Sequence, residues 1–184
     1  MRCFYYFIPS VLNCFMNFRS ILQLPVYPLR IAHTDQLFSI GSCFAENLGQ
    51  RLHGHKFNII RNPFGILYNP VSICAGLEML LTDYQFTTAD IFQSGELWYS
   101  YHHHGQFARP DQDALLLHLQ QQLTTARTAL LTTNRLLITL GTAQIYWHRQ
   151  RAAVVANCHK LPQQQFIKRR LSVTEVTNNL RVLL

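Results

Sequence analysis

Apolar positions recur along this chain with two periods, one typical of buried strands and one typical of amphipathic helices. The pattern predicts buried strands that end near Ile40 and Gly141, followed by a hairpin return arm over 151–160. It predicts helices over 44–55, 71–84, 110–132 and 172–184. Strands and helices that alternate in this order indicate an α/β fold with a mostly parallel sheet.

The segment "IGSCF" at 40–44 joins the first strand to the first helix. A strand that ends at Ile40 and a turn at Gly41 place Ser42 and Cys43 at the carboxyl edge of the sheet, where open α/β sheets bind ligands. The positive end of the following helix favours a thiolate or an alkoxide at this position. A small polar residue before a helix is also an ordinary N-cap, so both interpretations remain open.

Two further turns carry groups that suit the same edge. In "NPFG", the Asn62 amide and a backbone N–H near Gly65 would donate to a developing oxyanion, or the segment is only a rigid turn. In "LGTAQ", Gly141 and Gln144 follow the second strand or complete a hairpin. His159 lies after that hairpin and is either a base or a hairpin-edge residue.

The histidines and cysteines do not predict a metal centre or a cofactor. In "HHH", only His102 and His104 would share a face of an extended segment, and no acid or cysteine lies at ligand spacing. The five cysteines form no CxxC pair, and Cys74 lies in an apolar helical pattern. An odd number of unpaired cysteines favours a reducing compartment, and we expect the cytoplasm.

The composition, with 48% hydrophobic residues, is that of one globular domain, and the net charge of +7 changes this picture little. The basic residues are dispersed, and we interpret the single cluster at 168–170 as a solvated helix face rather than a nucleic-acid site. Residues 1–15 are apolar but too short to span a bilayer, so we expect no stable membrane insertion. They are predicted to be an upstream extension, with an inefficient membrane-targeting segment as the alternative.

Five segments in this order resemble the bacterial GSCFA domain family, whose name matches residues 41–45. They are "FSIGSCFAENLGQRL", "NPFGILYNP", "YHHHGQF", "LITLGTAQIYW" and "NCHKLPQQQF". The likeness runs over 16–184. The family is similar to the SGNH hydrolases, which include esterases and lipases, and this implies a three-layer α/β/α sandwich.

The resemblance also implies roles for individual residues. The SGNH motif Gly-Asp-Ser falls on 41–43, so Cys43 takes the place of the nucleophile, with Ser42 one residue out of register. Gly65 matches the glycine whose N–H lines the oxyanion hole. "GTAQ" carries alanine where the family's third motif has asparagine, which leaves that role to Asn62 or Gln144.

The implied function is that of an ester hydrolase or acyl transferase acting on a small-molecule or glycan acyl ester. SGNH enzymes carry their catalytic Asp and His on a late loop. This sequence ends inside the apolar pattern "LRVLL" before such a segment, so we expect a domain without its last strand and helix, and weak or no activity. The alternative is a non-catalytic module that binds a carbohydrate or an acyl ligand.

Overall fold

The computed structural model describes residues 22–23 and 25–183 of the chain. Contacts divide the chain into Met1–Arg30 and Ile31–Leu184, and every described helix and strand lies in the second unit. The prediction for residues 1–15 lies outside the described residues. None of the described helices is both long enough and apolar enough to cross a membrane.

The second unit contains four helices and eight strands among its described residues. The helices are α1 (Cys43–Gly54), α2 (Pro70–Leu81), α3 (Gln112–Thr132) and α4 (Val173–Leu183). The strands are β1 (Gln36–Gly41), β2 (Asn58–Arg61), β3 (Ile91–Ser94), β4 (Leu97–Ser100), β5 (Arg135–Thr139), β6 (Gln144–His148), β7 (Ala153–Val155) and β8 (Phe166–Arg170). The predicted helices and the first strand are therefore confirmed, with shifts of a few residues at their ends.

A parallel sheet with the order β2-β1-β5 forms the centre of the fold. Phe38 of β1 lies opposite Ile60 on one side and Leu136 on the other. Since the three strands run in the same direction, their carboxyl ends lie at one edge of the sheet. The chain leaves this edge through the residues after Gly41, Arg61 and Thr139.

Helices cover both faces of this sheet. Ile40 faces α2, where a Cβ on Gly76 would lie 3.5 Å from its side chain. On the other face, Gly49 of α1 lies against the Ser39 hydroxyl. The main core is continuous on the Phe38 and Ile40 face and includes Ile73, Leu77 and Leu80 of α2 and Leu115, Leu119 and Leu123 of α3. Alternate residues of β1 therefore supply both interfaces.

The remaining described strands form antiparallel sheets, so the parallel part is smaller than the alternating pattern predicts. β3 and β4 are joined by a tight turn at Gly95, which has φ of +61°. β6 pairs with both β7 and β8 in the order β7-β6-β8. The connections from β3 to β4 and from β6 to β7 are too short for the crossover that a parallel neighbour requires, so these two pairs are antiparallel.

Two local predictions need correction. The strand expected to be buried and to run to Gly141 has no fully buried residue. It ends at Thr139, because the N–H groups of Gly141 and Thr142 turn aside to donate to the Tyr68 carbonyl. The basic cluster at 168–170 lies on the exposed strand β8 and not on a helix. Three consecutive cations have neither a helical nor a strand period, so the sequence pattern did not reveal the pairing of this segment with β6.

Candidate functional site

The turn between β1 and α1 is held by the loops that follow both neighbouring strands. The Gly41 N–H donates to the Asn62 Oδ1 over 2.9 Å. The Ser42 N–H donates to the Thr139 carbonyl over 3.1 Å and lies 3.0 Å from the Thr139 Oγ1. The carboxyl ends of the three parallel strands thus converge on residues 41–43.

Ser42 and Cys43 have different environments at this turn. Ser42 is buried, its Oγ accepts from the Phe44 N–H, and the same Oγ lies 3.0 Å from the Thr139 hydroxyl. It is therefore the N-cap of α1. Cys43, the first residue of the helix, is exposed and carries a free thiol. Of these two side chains, the thiol is the one accessible to a ligand.

Asn62 is fixed at both ends of its side-chain amide. Its Oδ1 accepts from Gly41, and its Nδ2 donates to the Glu46 carboxylate over 3.0 Å. Glu46 lies one turn after Cys43 on α1 and forms a 3.5 Å ion pair with Arg61. Only one hydrogen of the Asn62 amide remains for another acceptor. The residue thus links the loop after β2 to the nucleophile turn.

The backbone groups proposed as oxyanion donors are engaged within the protein. The Gly65 N–H donates to the Asn62 carbonyl over 2.7 Å, and the Gly141 N–H donates to the Tyr68 carbonyl over 2.9 Å. Gly65 has φ of +75°, and a Cβ there would overlap the Cβ of His104. A role for either N–H in binding an oxyanion stays a prediction and requires its present bond to open.

Gln144 lies in the β7-β6-β8 sheet, and His159 lies in the connection between β7 and β8. Gln144 begins β6, is exposed and pairs with Arg170 of β8. The His159 Nε2 donates to the Ser100 carbonyl over 2.8 Å, and its ring packs against Tyr99. No hydrogen bond among the described residues joins His159 to Ser42 or Cys43. Burial lowers the pKa of His159, so its imidazole is neutral at pH 7.

The three consecutive histidines have separate structural roles. His102 donates from Nε2 to the buried Asp90 carboxylate over 3.2 Å, and Tyr84 donates to the same oxygen over 2.7 Å. Burial raises the pKa of Asp90, but the hydrogen bonds from His102, the Thr87 N–H and Tyr84 outweigh it and hold that pKa well below its usual range. His104 caps the turn at 105–107 through its Nδ1.

His103 is the most deeply buried of the three. Its ring packs against Phe64, Phe86 and Phe107, and its Nδ1 lies 2.8 Å from the Ser100 Oγ. Burial lowers its pKa well below 6.5. Within residues 25–183, no three His, Cys, Asp or Glu side chains are grouped to hold a metal ion. Residues 102–104 therefore have structural roles: the His103 ring packs against Phe64, and the His104 N–H donates to the Phe64 carbonyl next to Gly65.

A cavity of about 510 Å³ lies beside the carboxyl edge. It is lined by Tyr68, Tyr146, Ala156, Asn157, Cys158, Leu161, Gln163 and Phe166. A Cβ placed on Gly141 would lie 2.9 Å from the Tyr68 ring and 3.1 Å from the Ser42 Cβ. The Tyr68 ring is therefore next to the nucleophile turn. Sequence reasoning did not select Tyr68, since nothing local shows that it meets β6 and the segment before β8.

Comparison with known proteins gives one match. The model of the GSCFA family matches residues 36–184, from the first residue of β1 onward. Neither the curated proteins nor the solved structures compared give a match to this chain. The matched region contains every described helix and strand, together with the convergent strand ends and the cavity.

Proposed function

This chain belongs to the GSCFA family, and we propose that it is an ester hydrolase or acyl transferase of the SGNH type with Cys43 as its nucleophile. The observation that carries the proposal is the contrast between two adjacent side chains. Cys43 is exposed at the start of α1, whereas the Ser42 hydroxyl is buried and hydrogen-bonded. A nucleophile at this edge has to be accessible to a ligand, and of these two side chains the Cys43 thiol is the exposed one.

The fold supports the same proposal at a coarser level. The strand order β2-β1-β5, with α1 on one face and α2 and α3 on the other, is compatible with the three-layer sandwich of SGNH hydrolases. In such sheets the ligand binds at the carboxyl ends of the strands. Residues 41–43 occupy that edge.

The chemistry we propose is acyl transfer through a thioester. The Cys43 sulfur bonds to the acyl carbon, the alkoxide leaves, and the proton released by the thiol goes to that alkoxide. Water or a second alcohol then attacks the thioester and releases the thiol. The N–H groups of the first helical turn have no partners within the helix, so the Cys43 N–H is the nearest candidate donor to the oxyanion.

The expected rate is low. The Cys43 thiol donates no hydrogen bond to a described side chain, so none of these side chains is positioned as its general base. Removing the base from a serine nucleophile costs several orders of magnitude in rate. A cysteine loses less, because a small fraction of a thiol is already ionised near neutral pH.

A second candidate function is a binding module without chemistry. It is favoured by the internal hydrogen bonds of the Gly65 and Gly141 N–H groups, which leave the oxyanion site unformed in this conformation. The ligand would be a carbohydrate or an acyl group bound in the cavity beside Tyr68. Such a module needs the cavity but not the Cys43 thiol, and this difference makes the two functions separable.

We place the protein in a reducing compartment, the cytoplasm. Cys43, Cys74 and Cys158 are all free thiols. A nucleophilic thiol has to stay reduced to act, and cytoplasmic thiols do so. The proposed function and this location therefore require the same redox state.

Alkylation and acylation of Cys43 test the enzyme. We expect iodoacetamide to label Cys43 at least about tenfold faster than Cys74 and Cys158, whose pKa values are raised by burial. Exposure alone would also favour Cys43, so glutathione serves as the reference, and Cys43 should react faster than this free thiol. Peptide mass spectrometry gives each rate separately.

Substrate turnover provides the second half of the test. With p-nitrophenyl acetate, the protein should acquire one acetyl group at Cys43, and Cys43→Ala should abolish both the adduct and the release of nitrophenol. Cys74→Ser is the matched control and should change neither. Labelling no faster than glutathione, together with unchanged ester cleavage in Cys43→Ala, would overturn the enzyme and favour the binding module.

A further inference from the structure

The cavity beside Tyr68, here called the Tyr68 cavity, has an uncharged lining of aromatic and polar side chains. Its walls combine three aromatic rings, from Tyr68, Tyr146 and Phe166, with two carboxamides, from Asn157 and Gln163. None of the described residues that line it carries a charge. This is notable in a chain with a net charge of +7. A cavity of this kind favours an uncharged ligand over a phosphate or a carboxylate.

The volume of the cavity and the chemical groups of its lining restrict the class of ligand further. At about 510 Å³ the cavity lies within the range of roughly 300–1,000 Å³ typical of small-molecule sites. Carboxamides and phenol hydroxyls both donate and accept hydrogen bonds, which suits a ligand with several hydroxyl groups. The aromatic rings suit the C–H faces of a ring. An aliphatic chain would leave the carboxamides without partners when it displaced water from them.

The Tyr68 ring connects this cavity to the nucleophile turn. Tyr68, which lines the cavity, lies beside Gly141, and a Cβ added to that glycine would be close to both the Tyr68 ring and the Ser42 Cβ. The Tyr68 carbonyl also accepts from the N–H groups of Gly141 and Thr142, which fixes the position of the loop. A ligand in the cavity therefore lies beside the edge where Cys43 begins α1.

We propose that the Tyr68 cavity binds an uncharged sugar ring and that the substrate is an acyl ester of such a sugar. The substrate assignment rests on the proposed function of Cys43, whereas the binding of the sugar ring does not. The ring packs against Tyr146 and Phe166, its hydroxyls bond to Gln163 and Asn157, and its ester group extends past Tyr68 toward the carboxyl edge. Asn157 is held for this role, because its Oδ1 already accepts from the His159 N–H over 2.8 Å.

Cys158 provides a direct reporter of occupancy, since it lines the cavity. The probes are N-acetylglucosamine and methyl β-glucoside as uncharged sugars, with hexanol as an alkyl probe. At a sugar concentration of about ten times the Kd, roughly nine tenths of the sites are occupied, and alkylation of Cys158 should slow about tenfold. Alkylation of Cys74, which lies on α2 outside the cavity, should not change.

Paired variants test which side chains make the contacts. Gln163→Ala should raise the Kd for the sugar about fivefold to tenfold through the loss of one hydrogen-bonding group. Gln164→Ala, at the exposed neighbouring position outside the cavity, should leave the Kd unchanged. Tyr146→Phe keeps the ring and removes the hydroxyl, and should weaken binding less than Tyr146→Ala. Titration calorimetry measures these constants on the full chain.

Each outcome decides the proposal. Protection of Cys158 by a sugar, weakened in Gln163→Ala and unchanged in Gln164→Ala, supports it. Stronger protection by hexanol than by either sugar overturns it in favour of an acyl pocket, and absence of protection by any probe also overturns it. Cys158 reports binding and Cys43 reports chemistry. If a sugar protects Cys158 but the protein shows no acyl transfer, the proposed enzymatic function is overturned, whereas the proposal that the cavity binds a sugar ring stands.

Discussion

The Asn62 side-chain oxygen accepts a hydrogen bond from the Gly41 N–H over 2.9 Å, and both groups are buried. The Asn62 amide nitrogen simultaneously donates to Glu46 of α1. One carboxamide therefore joins the loop after β2, the turn after β1 and the first helix. This bond holds the turn that immediately precedes Cys43.

Replacement of Asn62 should destabilise the protein through this bond. Asn62→Ala leaves the buried Gly41 N–H without its acceptor and places alanine at φ of +38°, and we expect a loss of about 1–3 kcal/mol in the free energy of unfolding. Asn62→Gly removes the bond but tolerates the backbone, so it should lose less than Asn62→Ala. Urea denaturation followed by circular dichroism measures both.

Asn58 is the matched control for Asn62, because it is exposed on β2 and its side chain bonds only to exposed Gln36. Asn58→Ala should change the free energy of unfolding by no more than about 0.5 kcal/mol. Equal losses in Asn58→Ala and Asn62→Ala would contradict the role assigned to the Gly41 bond.

Gly41 should tolerate no side chain. It has φ of +141°, and a Cβ at this position would overlap the Thr139 carbonyl oxygen, which itself accepts from the Ser42 N–H. Gly41→Ala should therefore lower the melting temperature sharply or prevent folding, because the clash is with backbone and cannot be relieved by a side-chain movement. Thermal melts and the yield of folded protein measure the effect.

Gly54, at the far end of α1, is a control that shows whether the loss of stability is specific to Gly41. Gly54, at the end of α1, has nothing within 4 Å of an added Cβ. Gly54→Ala should be neutral or should stabilise the protein by up to about 1 kcal/mol. A Gly41→Ala variant that melts at the temperature of Gly54→Ala would contradict the crowding described at the turn.

Buried His103 should make stability depend on pH. Burial holds its folded-state pKa well below the value of 6.5, whereas the unfolded chain takes up its proton near 6.5. The unfolded state therefore binds more protons as the pH falls below 6.5, and His103 should reduce the free energy of unfolding by about 1 kcal/mol between pH 6.5 and 5.5. At pH values well above 6.5 this contribution is constant.

Substitution isolates the effect of His103 from those of the other histidines. The His103→Asn variant retains a side-chain partner for the Ser100 hydroxyl, but its amide does not take up a proton in this pH range. Its loss of stability on acidification should therefore be smaller than that of the original chain. His53→Asn, at an exposed position of α1, should retain the slope of the original chain. Denaturant midpoints at several pH values give the slopes. Identical slopes in the original chain and His103→Asn would rule out this source of pH dependence.

The Asp90 carboxylate should be required in its charged form. It accepts from Tyr84, His102 and Thr87, and the substitution Asp90→Asn would turn an amide N–H₂ toward some of these donors. We expect a loss of about 2–4 kcal/mol in the free energy of unfolding at pH 7. Asp83→Asn, at an exposed surface ion pair, should lose less than about 1 kcal/mol. Urea denaturation measures both losses. Similar losses in the two variants would contradict the stabilising role assigned to the hydrogen bonds of the Asp90 carboxylate.

Local periodicity was sufficient to predict much of the fold. α2, α3 and α4 each repeat apolar residues at helical spacing, and α4 begins with a Ser172–Glu175 capping box. Strand β8 was not predicted, because "FIKRR" has one buried residue and depends on pairing with β6. A strand of this kind is stabilised by its neighbour rather than by its own sequence.

Strand and helix periods are local properties of the chain, so the residues alone predict a small polar turn at 41–43 between a buried strand and a helix. Which side chain of that turn is accessible depends on packing with distant segments. The Ser42 N–H is held by Thr139, 97 positions away along the chain, and its hydroxyl is buried beside the same residue. The Tyr68 cavity likewise forms where three distant segments meet. Contacts at such separations arise from the packing of the whole sheet, so no local pattern records them.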